Sequence, residues 1–152
     1  MTTATDAEEP MALAAARLRT AALRVTAPRM AILRAVQESS SHLDADALRV
    51  RAQRVTGHLS VQATYNVLRA LTDAGLVRCT QIPGHPARYE TERYDNHHHF
   101  VCRACGTIRD VVCAVGTAPC MDPQLPEEYD TQEAAVTFWG LCPNCRTEAP
   151  VP

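Results

Sequence analysis

The sequence predicts an α+β fold made of two domains. Helical patterns fill the first half of the 152-residue chain, a hairpin pattern follows them, and short strand-like pieces around paired cysteines make up the rest. The second part has so few aliphatic side chains that about 50 residues of it cannot be held together by burial alone. We therefore predict one domain with its own hydrophobic core and a smaller one that needs a bound metal.

Four helices are predicted in the first half. The first covers residues 12–22, which are rich in Ala, Leu and Arg. The other three begin after residues that commonly cap helix N-termini, namely Thr26, Asp44 and Ser60. Gly75 is a typical C-cap and ends the fourth helix.

The fourth helix has an apolar face and a polar face. Its apolar residues recur at helical spacing: Val61, Tyr65, Leu68 and Leu71. That spacing predicts that the other face of the helix is exposed and carries polar residues: Gln62, Thr64, Asn66 and Arg69. Polar, hydrogen-bonding side chains therefore crowd the N-terminal end of this helix.

A two-stranded hairpin is predicted after the fourth helix. Residues 76–80 and 87–91 have strand character, and the Pro83-Gly84-His85-Pro86 segment between them is a turn. A winged-helix domain has this order of elements, with helices followed by a hairpin. A helix-turn-helix places the N-terminal end of its recognition helix in the major groove, where four residues would face bases or phosphates: Gln62, Thr64, Tyr65 and Asn66. The alternative is a helical bundle with ordinary polar surface residues.

Charge is divided unevenly along the chain, although the net value is only −2. Residues 11–93 contain twelve Arg and six acids, whereas the remaining residues contain three Arg and eleven acids. Arg binds phosphate in a bidentate manner and reads guanine edges, so the basic first half suits a nucleic-acid partner. The absence of Lys is explained equally well by a genome of high GC content.

Two Cys-x-x-Cys pairs give the strongest chemical signal. Cys102 and Cys105 form one pair, and Cys142 and Cys145 form the other. This spacing lets both sulfurs of a pair point to one centre, and two pairs supply the four thiolates of a closed tetrahedral zinc site. We predict one structural zinc per chain. Redox dithiols and an iron–sulfur cluster are the alternatives.

Histidines before the first cysteine pair indicate a second metal site. His97 and His99 share one face of a predicted strand, while His98 takes the other face. Two imidazoles on one face make half of a metal site, and the alternative is a group of ordinary surface histidines. Candidates to complete the shell are more distant in the chain: His42, Glu90 and Asp110.

The motifs together resemble the ferric uptake regulator family in order and spacing. The matching segments are Arg24 to Arg29, Ser60 to Leu68, Ala74 to Val77, Arg88 to Glu90, His97 to Cys105, and Cys142 to Cys145. Within that family, the chain is most similar to the actinobacterial type that represses catalase or catalase-peroxidase genes. That type also carries Asn-His-His-His before the first cysteine pair, and its Cys-Ala-Val-Gly and Ala-Pro-Cys segments match Cys113 to Cys120.

The resemblance implies a metal-dependent repressor rather than an enzyme. It implies one regulatory Fe(II) or Mn(II) per chain that bridges the two domains, held by His42, Glu90, His97, His99 and Asp110. It also implies a homodimer that binds an inverted repeat in double-stranded DNA, with Arg24, Arg29 and Ser60 joining the residues of the fourth helix at the DNA.

The expected domain boundaries follow from these motifs. A disordered tail at 1–10 precedes a winged-helix DNA-binding domain at 11–93, and a zinc-stapled α/β dimerisation and metal-binding domain at 94–147 precedes a tail at 148–152. No run approaches the roughly 18 apolar residues that a membrane span requires, so we expect a cytoplasmic protein.

Three functions remain as hypotheses. The first is a peroxide-responsive repressor, because peroxide-responsive members of the family resemble this chain in having Asp at position 110. Glu90 departs from those members, which often carry Asp there. The second is an iron-uptake repressor that uses Fe(II) as corepressor. The third is a zinc-stapled thiol redox protein that uses Cys113 and Cys120.

Overall fold

The computed structural model describes residues 4–93, 95, 97–113, 124–131 and 134–148. Its helices are α1 (Ala4–Thr20), α2 (Ala27–Gln37), α3 (Ala45–Thr56), α4 (Val61–Asp73) and α5 (Pro143–Glu148). Its strands are β1 (Val77–Thr80), β2 (Arg88–Thr91), β3 (His97–Cys102), β4 (Ile108–Val112) and β5 (Thr137–Gly140). The predicted α+β fold is confirmed. The chain divides into two compact units, Met1–Glu92 and Arg93–Pro152.

Capping residues fix the helices of the first unit. The Asp44 carboxylate accepts a hydrogen bond from the Ala47 N–H at 2.8 Å, and the Ser60 hydroxyl accepts one from the Ala63 N–H at 3.1 Å. Both contacts satisfy N–H groups that have no partner within a helix. Thr26 occupies the N-cap of α2, but its side chain makes no capping hydrogen bond.

Helix α1 begins earlier than the sequence predicts. It starts at Ala4, so residues 4–10, which we expected to belong to a disordered tail, are helical. Alanine and glutamate are good helix formers, and they occur in this acidic, polar segment before the predicted helix.

A hydrophobic core joins the helices of the first unit to its hairpin. The largest side chains in it are fully buried: Leu18, Ile32, Leu33, Leu48, Leu68, Leu71 and Val77. Among the described residues, no helix is both long and apolar enough to cross a membrane.

The hairpin pairs β1 and β2 in antiparallel register, with Cys79 opposite Tyr89. Gly84 lies in the turn with φ +78°, a left-handed conformation that glycine adopts without steric cost. Just before α3, Leu43 forms a further antiparallel bridge to Tyr89. The segment before α3 therefore lies along the open edge of β2.

The second unit contains a three-stranded sheet of order β4-β3-β5. The central strand β3 is antiparallel to β4 and parallel to β5. Gly140 allows the close approach of β5, since a Cβ there would lie 2.9 Å from the Phe100 ring. Strands β4 and β5 are shorter than the strand-like stretches of the sequence, residues 107–114 and 135–142, and α5 after the last strand was not predicted.

Candidate metal centres and nucleic-acid interface

Four cysteine sulfurs converge in the second unit. The Sγ atoms of Cys102, Cys105, Cys142 and Cys145 all lie within 4.8 Å of one another. The Cys105 and Cys142 sulfurs are 3.8 Å apart, and the Cys142 backbone N–H donates to the Cys102 sulfur at 3.3 Å. The two Cys-x-x-Cys pairs predicted from their spacing therefore meet at one point.

Local backbone structure explains the convergence. The Gly106 N–H donates to the Cys102 carbonyl at 2.9 Å and closes a turn after β3. Gly106 has φ +68°, which a residue with a side chain adopts only with strain. The Arg103 N–H donates to the Gly140 carbonyl at 2.8 Å, so this turn is tied to the end of β5, two residues before Cys142.

Hydrogen bonds prepare part of the cluster to bind a cation. They lower the pKa of Cys102 to about 6, chiefly through the Cys142 N–H and then the Cys105 N–H. A hydrogen bond with the Thr107 hydroxyl lowers the pKa of Cys105. The neighbouring sulfurs, Cys142 first, raise the pKa of Cys145 to about 12. The donor set of four sulfurs fits a closed zinc site, and zinc would bind Cys145 as the thiolate.

An imidazole–carboxylate pair lies in the first unit. His42 Nε2 and Glu90 Oε2 are 3.0 Å apart, and both side chains are only 7% exposed. The Leu43–Tyr89 bridge accounts for the pair, because antiparallel pairing of these two residues places His42 next to Glu90. One nitrogen and one carboxylate suit the mixed ligand shells of Fe(II) and Mn(II).

A second imidazole–carboxylate pair lies in the second unit. His99 on β3 is paired with Asp110 on β4, and His99 Nε2 is 4.0 Å from Asp110 Oδ1. His97 lies on the same side of β3, with its ring centroid 5.0 Å from that of His99. The predicted alternation of these two histidines on one face is thus present in the strand.

Asp95 is a neighbour of this group that the sequence did not single out. Its Oδ1 atom contacts Nδ1 of His97, and a carboxylate in this position orients an imidazole ring. The i, i+2 spacing of Asp95 and His97 is the only signal that could have indicated it, and that spacing is too common to be specific.

The exposed face of α4 differs from the predicted one. Thr64 was expected to face DNA, but it is 1% exposed and its hydroxyl donates to the Ser60 carbonyl at 2.9 Å. That prediction is wrong. Val61 and Tyr65, which we placed on the apolar face, are 56% and 48% exposed. The true core positions of the helix are Thr64, Leu68 and Leu71.

The remaining predicted DNA contacts are accessible in the first unit. Gln62 and Asn66 are exposed and hydrogen-bonded to each other at 3.0 Å. Ser60 is exposed while it caps α4. Arg24 is exposed, and the half-buried Arg29 donates to the Arg24 carbonyl at 2.9 Å. The N-terminal end of α4 therefore presents amide and phenol groups suited to base edges and phosphates.

The predicted redox pair is only partly described. Cys113 follows β4 and is half-buried, and Cys120 lies outside the described residues.

Cys79 packs against the core of the first unit opposite Tyr89, whose pKa is raised to about 12 by burial and by Cys79.

Comparison with known proteins places the chain among transcriptional regulators. The model of the ferric uptake regulator family matches residues 20–115. Transcriptional regulator FurA of Mycobacterium tuberculosis is 50% identical over 131 residues, which cover 86% of this chain and 88% of the relative. The peroxide-responsive repressor PerR of Staphylococcus epidermidis is 30% identical over 142 residues, 88% of each chain.

A solved structure shares the fold. The ferric uptake regulator Fur of Helicobacter pylori, described as having three functional metal binding sites, superposes with a TM-score of 0.68 at 16% identity. The match covers 91% of this chain and 93% of that one.

Proposed function

The chain belongs to the ferric uptake regulator family, and from that premise we propose that it is a dimeric repressor whose operator binding requires Fe(II) or Mn(II). Metal-dependent regulation of transcription is what membership of the family shows. The observation that supports a regulatory metal is a pair of imidazole–carboxylate groups, His42 with Glu90 and His99 with Asp110, separate from the four-cysteine cluster.

We propose that the protein has two metal sites with different chemistry. The four cysteines hold one structural zinc per chain, since a closed thiolate shell has no open position for exchange. Five residues hold one regulatory metal per chain: His42, Glu90, His97, His99 and Asp110. Nitrogen and carboxylate ligands favour Fe(II) or Mn(II) over a softer ion at that second site.

The proposed ligands come from both domains, residues 11–93 and 94–147. Binding the regulatory metal therefore favours one relative orientation of the domains. The metal shifts the equilibrium between orientations only as far as it binds one of them more tightly than the others. A dimer reads two half-sites at a fixed spacing, so the orientation decides whether both DNA-binding domains engage an inverted repeat. The repressor acts in the cytoplasm, where that DNA is found.

Tyr65→Ala is expected to weaken operator binding about tenfold, in the range of a lost base contact, while Mn(II) affinity stays unchanged. Tyr65 is exposed at the N-terminal end of α4 and is not one of the proposed ligands. Tyr129→Ala is the matched control, because Tyr129 is also exposed and lies in the second unit. Fluorescence anisotropy on a labelled operator measures the effect, and equal losses in both variants would contradict it.

We propose hydrogen peroxide as the signal. Iron(II), when bound, would promote cleavage of the peroxide O–O bond. One oxygen would add to an imidazole carbon and the other would leave as water, so that peroxide is reduced and the imidazole is oxidised by two electrons. The imidazoles of His42, His97 and His99 are the proposed nitrogen ligands and hence the nearest groups to accept an oxygen atom. Similarity to a peroxide-responsive repressor over 88% of the chain supports this proposal. The iron-uptake repressor is the second candidate, favoured by Glu90 where peroxide-responsive members often carry Asp.

Peroxide is expected to add one oxygen atom to His42, His97 or His99 of the iron-loaded protein, together with loss of operator binding. The Mn(II)-loaded protein is the control and should remain unmodified, because Mn(II) does not readily undergo this chemistry. Peptide mass spectrometry locates the adduct. Loss of binding with intact histidines and a Cys113–Cys120 disulfide would make thiol oxidation the switch, whereas no response to peroxide would favour iron uptake.

A further inference from the structure

Asp44 makes two different contacts in the first unit. Its Oδ1 atom accepts from the Ala47 N–H at 2.8 Å and caps α3. Its Oδ2 atom accepts from the Arg88 guanidinium at 2.8 Å, and Arg88 lies at the start of β2. One carboxylate therefore joins the N-terminus of a helix to the neighbouring strand.

This ion pair is one of three adjacent contacts between the segment before α3 and β2. In the middle, Leu43 and Tyr89 exchange two backbone hydrogen bonds, of 3.3 and 2.8 Å. On one side of this bridge His42 lies beside Glu90, and on the other side Asp44 lies beside Arg88. Antiparallel pairing places the two side-chain contacts on the same face, since residues two apart along an extended strand point the same way.

The bridge alone is a weak restraint on the position of His42. It consists of a single pair of residues at the edge of a two-stranded sheet, and the residues just before it form an exposed turn closed by Ser39 and Ser41. The Asp44–Arg88 contact adds a charge-assisted hydrogen bond at the other end of the bridge. A contact at this position restrains the register of the segment that carries His42.

We propose that Asp44 and Arg88 are positioning residues for the regulatory metal: their ion pair holds the segment from His42 to Asp44 in register on β2, so that His42 lies beside Glu90 before the metal binds. This role rests on the proposed function, in which His42 and Glu90 are ligands. Without the pair, ordering the His42 segment becomes part of the cost of binding metal, and affinity falls. The same carboxylate caps α3, so the ligand segment is also joined to a helix of the DNA-binding unit.

The test measures Mn(II) affinity of the full-length, zinc-containing protein by the electron paramagnetic resonance signal of free Mn(II). Arg88→Ala is expected to weaken binding about tenfold, at the lower end of the range for residues that orient metal ligands. Asp44→Asn removes the ion pair but keeps an acceptor that caps α3, and it should have the same effect. The double variant should bind no more weakly than either single variant, because both remove one interaction.

A matched control lies on α3. Arg49 pairs with Asp46 within that helix, with Nη2 2.6 Å from Oδ1. Arg49→Ala removes an Arg–Asp ion pair that does not involve β2, so it should leave Mn(II) affinity unchanged. Arg88→Lys should restore part of the affinity, since Lys keeps a positive charge that can pair with Asp44.

The outcomes separate the positioning role from the function on which it rests. Arg88→Ala or Asp44→Asn with wild-type Mn(II) affinity would overturn the positioning role, as would additive losses in the double variant or an equal loss in Arg49→Ala. His42→Ala tests the function itself. If it binds Mn(II) as tightly as wild type, the proposed ligand set is wrong and the positioning role is overturned with it.

Discussion

Cys102→Ser and Cys142→Ser are each expected to remove zinc from the protein and to unfold its second unit. In this part of the chain, the described residues provide only a small core around Val101, Cys102 and Ile108. A structural zinc site contributes about 10–16 kcal/mol of apparent binding free energy, which is as large as the roughly 5–15 kcal/mol that separates most folded domains from their unfolded state. Because this unit has so small a core, we expect that it does not stay folded once a thiolate ligand and the zinc are lost.

Metal analysis and size-exclusion chromatography test this expectation. Wild type should contain one zinc per chain after mild chelation and should elute as a dimer, and both variants should lose the metal and the dimer together. Cys79→Ser is the matched control, because Cys79 is half-buried in the first unit and lies outside the cluster. A stable, zinc-free dimer from either variant would contradict the structural role proposed for zinc.

His99→Gln is expected to abolish the increase in operator affinity that Mn(II) produces in wild type. Binding at one site of a protein typically changes the affinity of a second site about 5–150-fold. In the variant, Mn(II) should no longer change the affinity for the operator. His99 is buried on β3 beside Asp110, and glutamine fills similar space without an imidazole nitrogen.

His98→Gln provides the comparison for His99→Gln. His98 is the adjacent residue of β3 and is equally buried, but it points to the opposite face of the strand. The same substitution there should leave the response to Mn(II) intact. A retained response in His99→Gln, or equal losses in both variants, would contradict the proposed ligand set.

Features that depend on neighbouring residues could be predicted from the sequence. Asp44 and Ser60 cap helices as expected, because a capping contact needs only the chain within three residues. The same holds for each Cys-x-x-Cys pair, whose spacing brings two sulfurs to one side of a turn. That the two pairs meet was inferred from chemistry, since four thiolates complete one zinc shell and two do not.

The face of α4 could not be predicted because the helix carries apolar residues on two sides. Val61 and Tyr65 fit the helical spacing of a buried stripe, yet they are exposed, and the small polar Thr64 is buried because its hydroxyl is satisfied by the Ser60 carbonyl. Apolar periodicity assumes that apolar side chains lie inside, and a surface that reads DNA departs from that assumption.

Contacts between distant segments had no signal in the sequence. Asp44 and Arg88 are 44 residues apart, and their pairing follows from the bridge that places the segment before α3 on the edge of β2. Asp44 was recognised as a cap and Arg88 as part of a motif, but nothing in either pattern indicated the partner. The start of α1 was missed for a different reason, since the residues before position 11 are acidic and polar and give no sign of a buried helix face.

A mobility-shift titration of the wild-type protein on its own upstream DNA, with Mn(II) or with chelator, tests the central claim most directly. Fe(II) under anaerobic conditions and zinc are measured in parallel, all at one ionic strength, because binding by the basic first unit depends steeply on salt. The account predicts tight, sequence-specific binding with Mn(II) or Fe(II) and loss of that binding when the regulatory metal is chelated while the structural zinc remains. Equal affinity for the operator with and without the regulatory metal would contradict it.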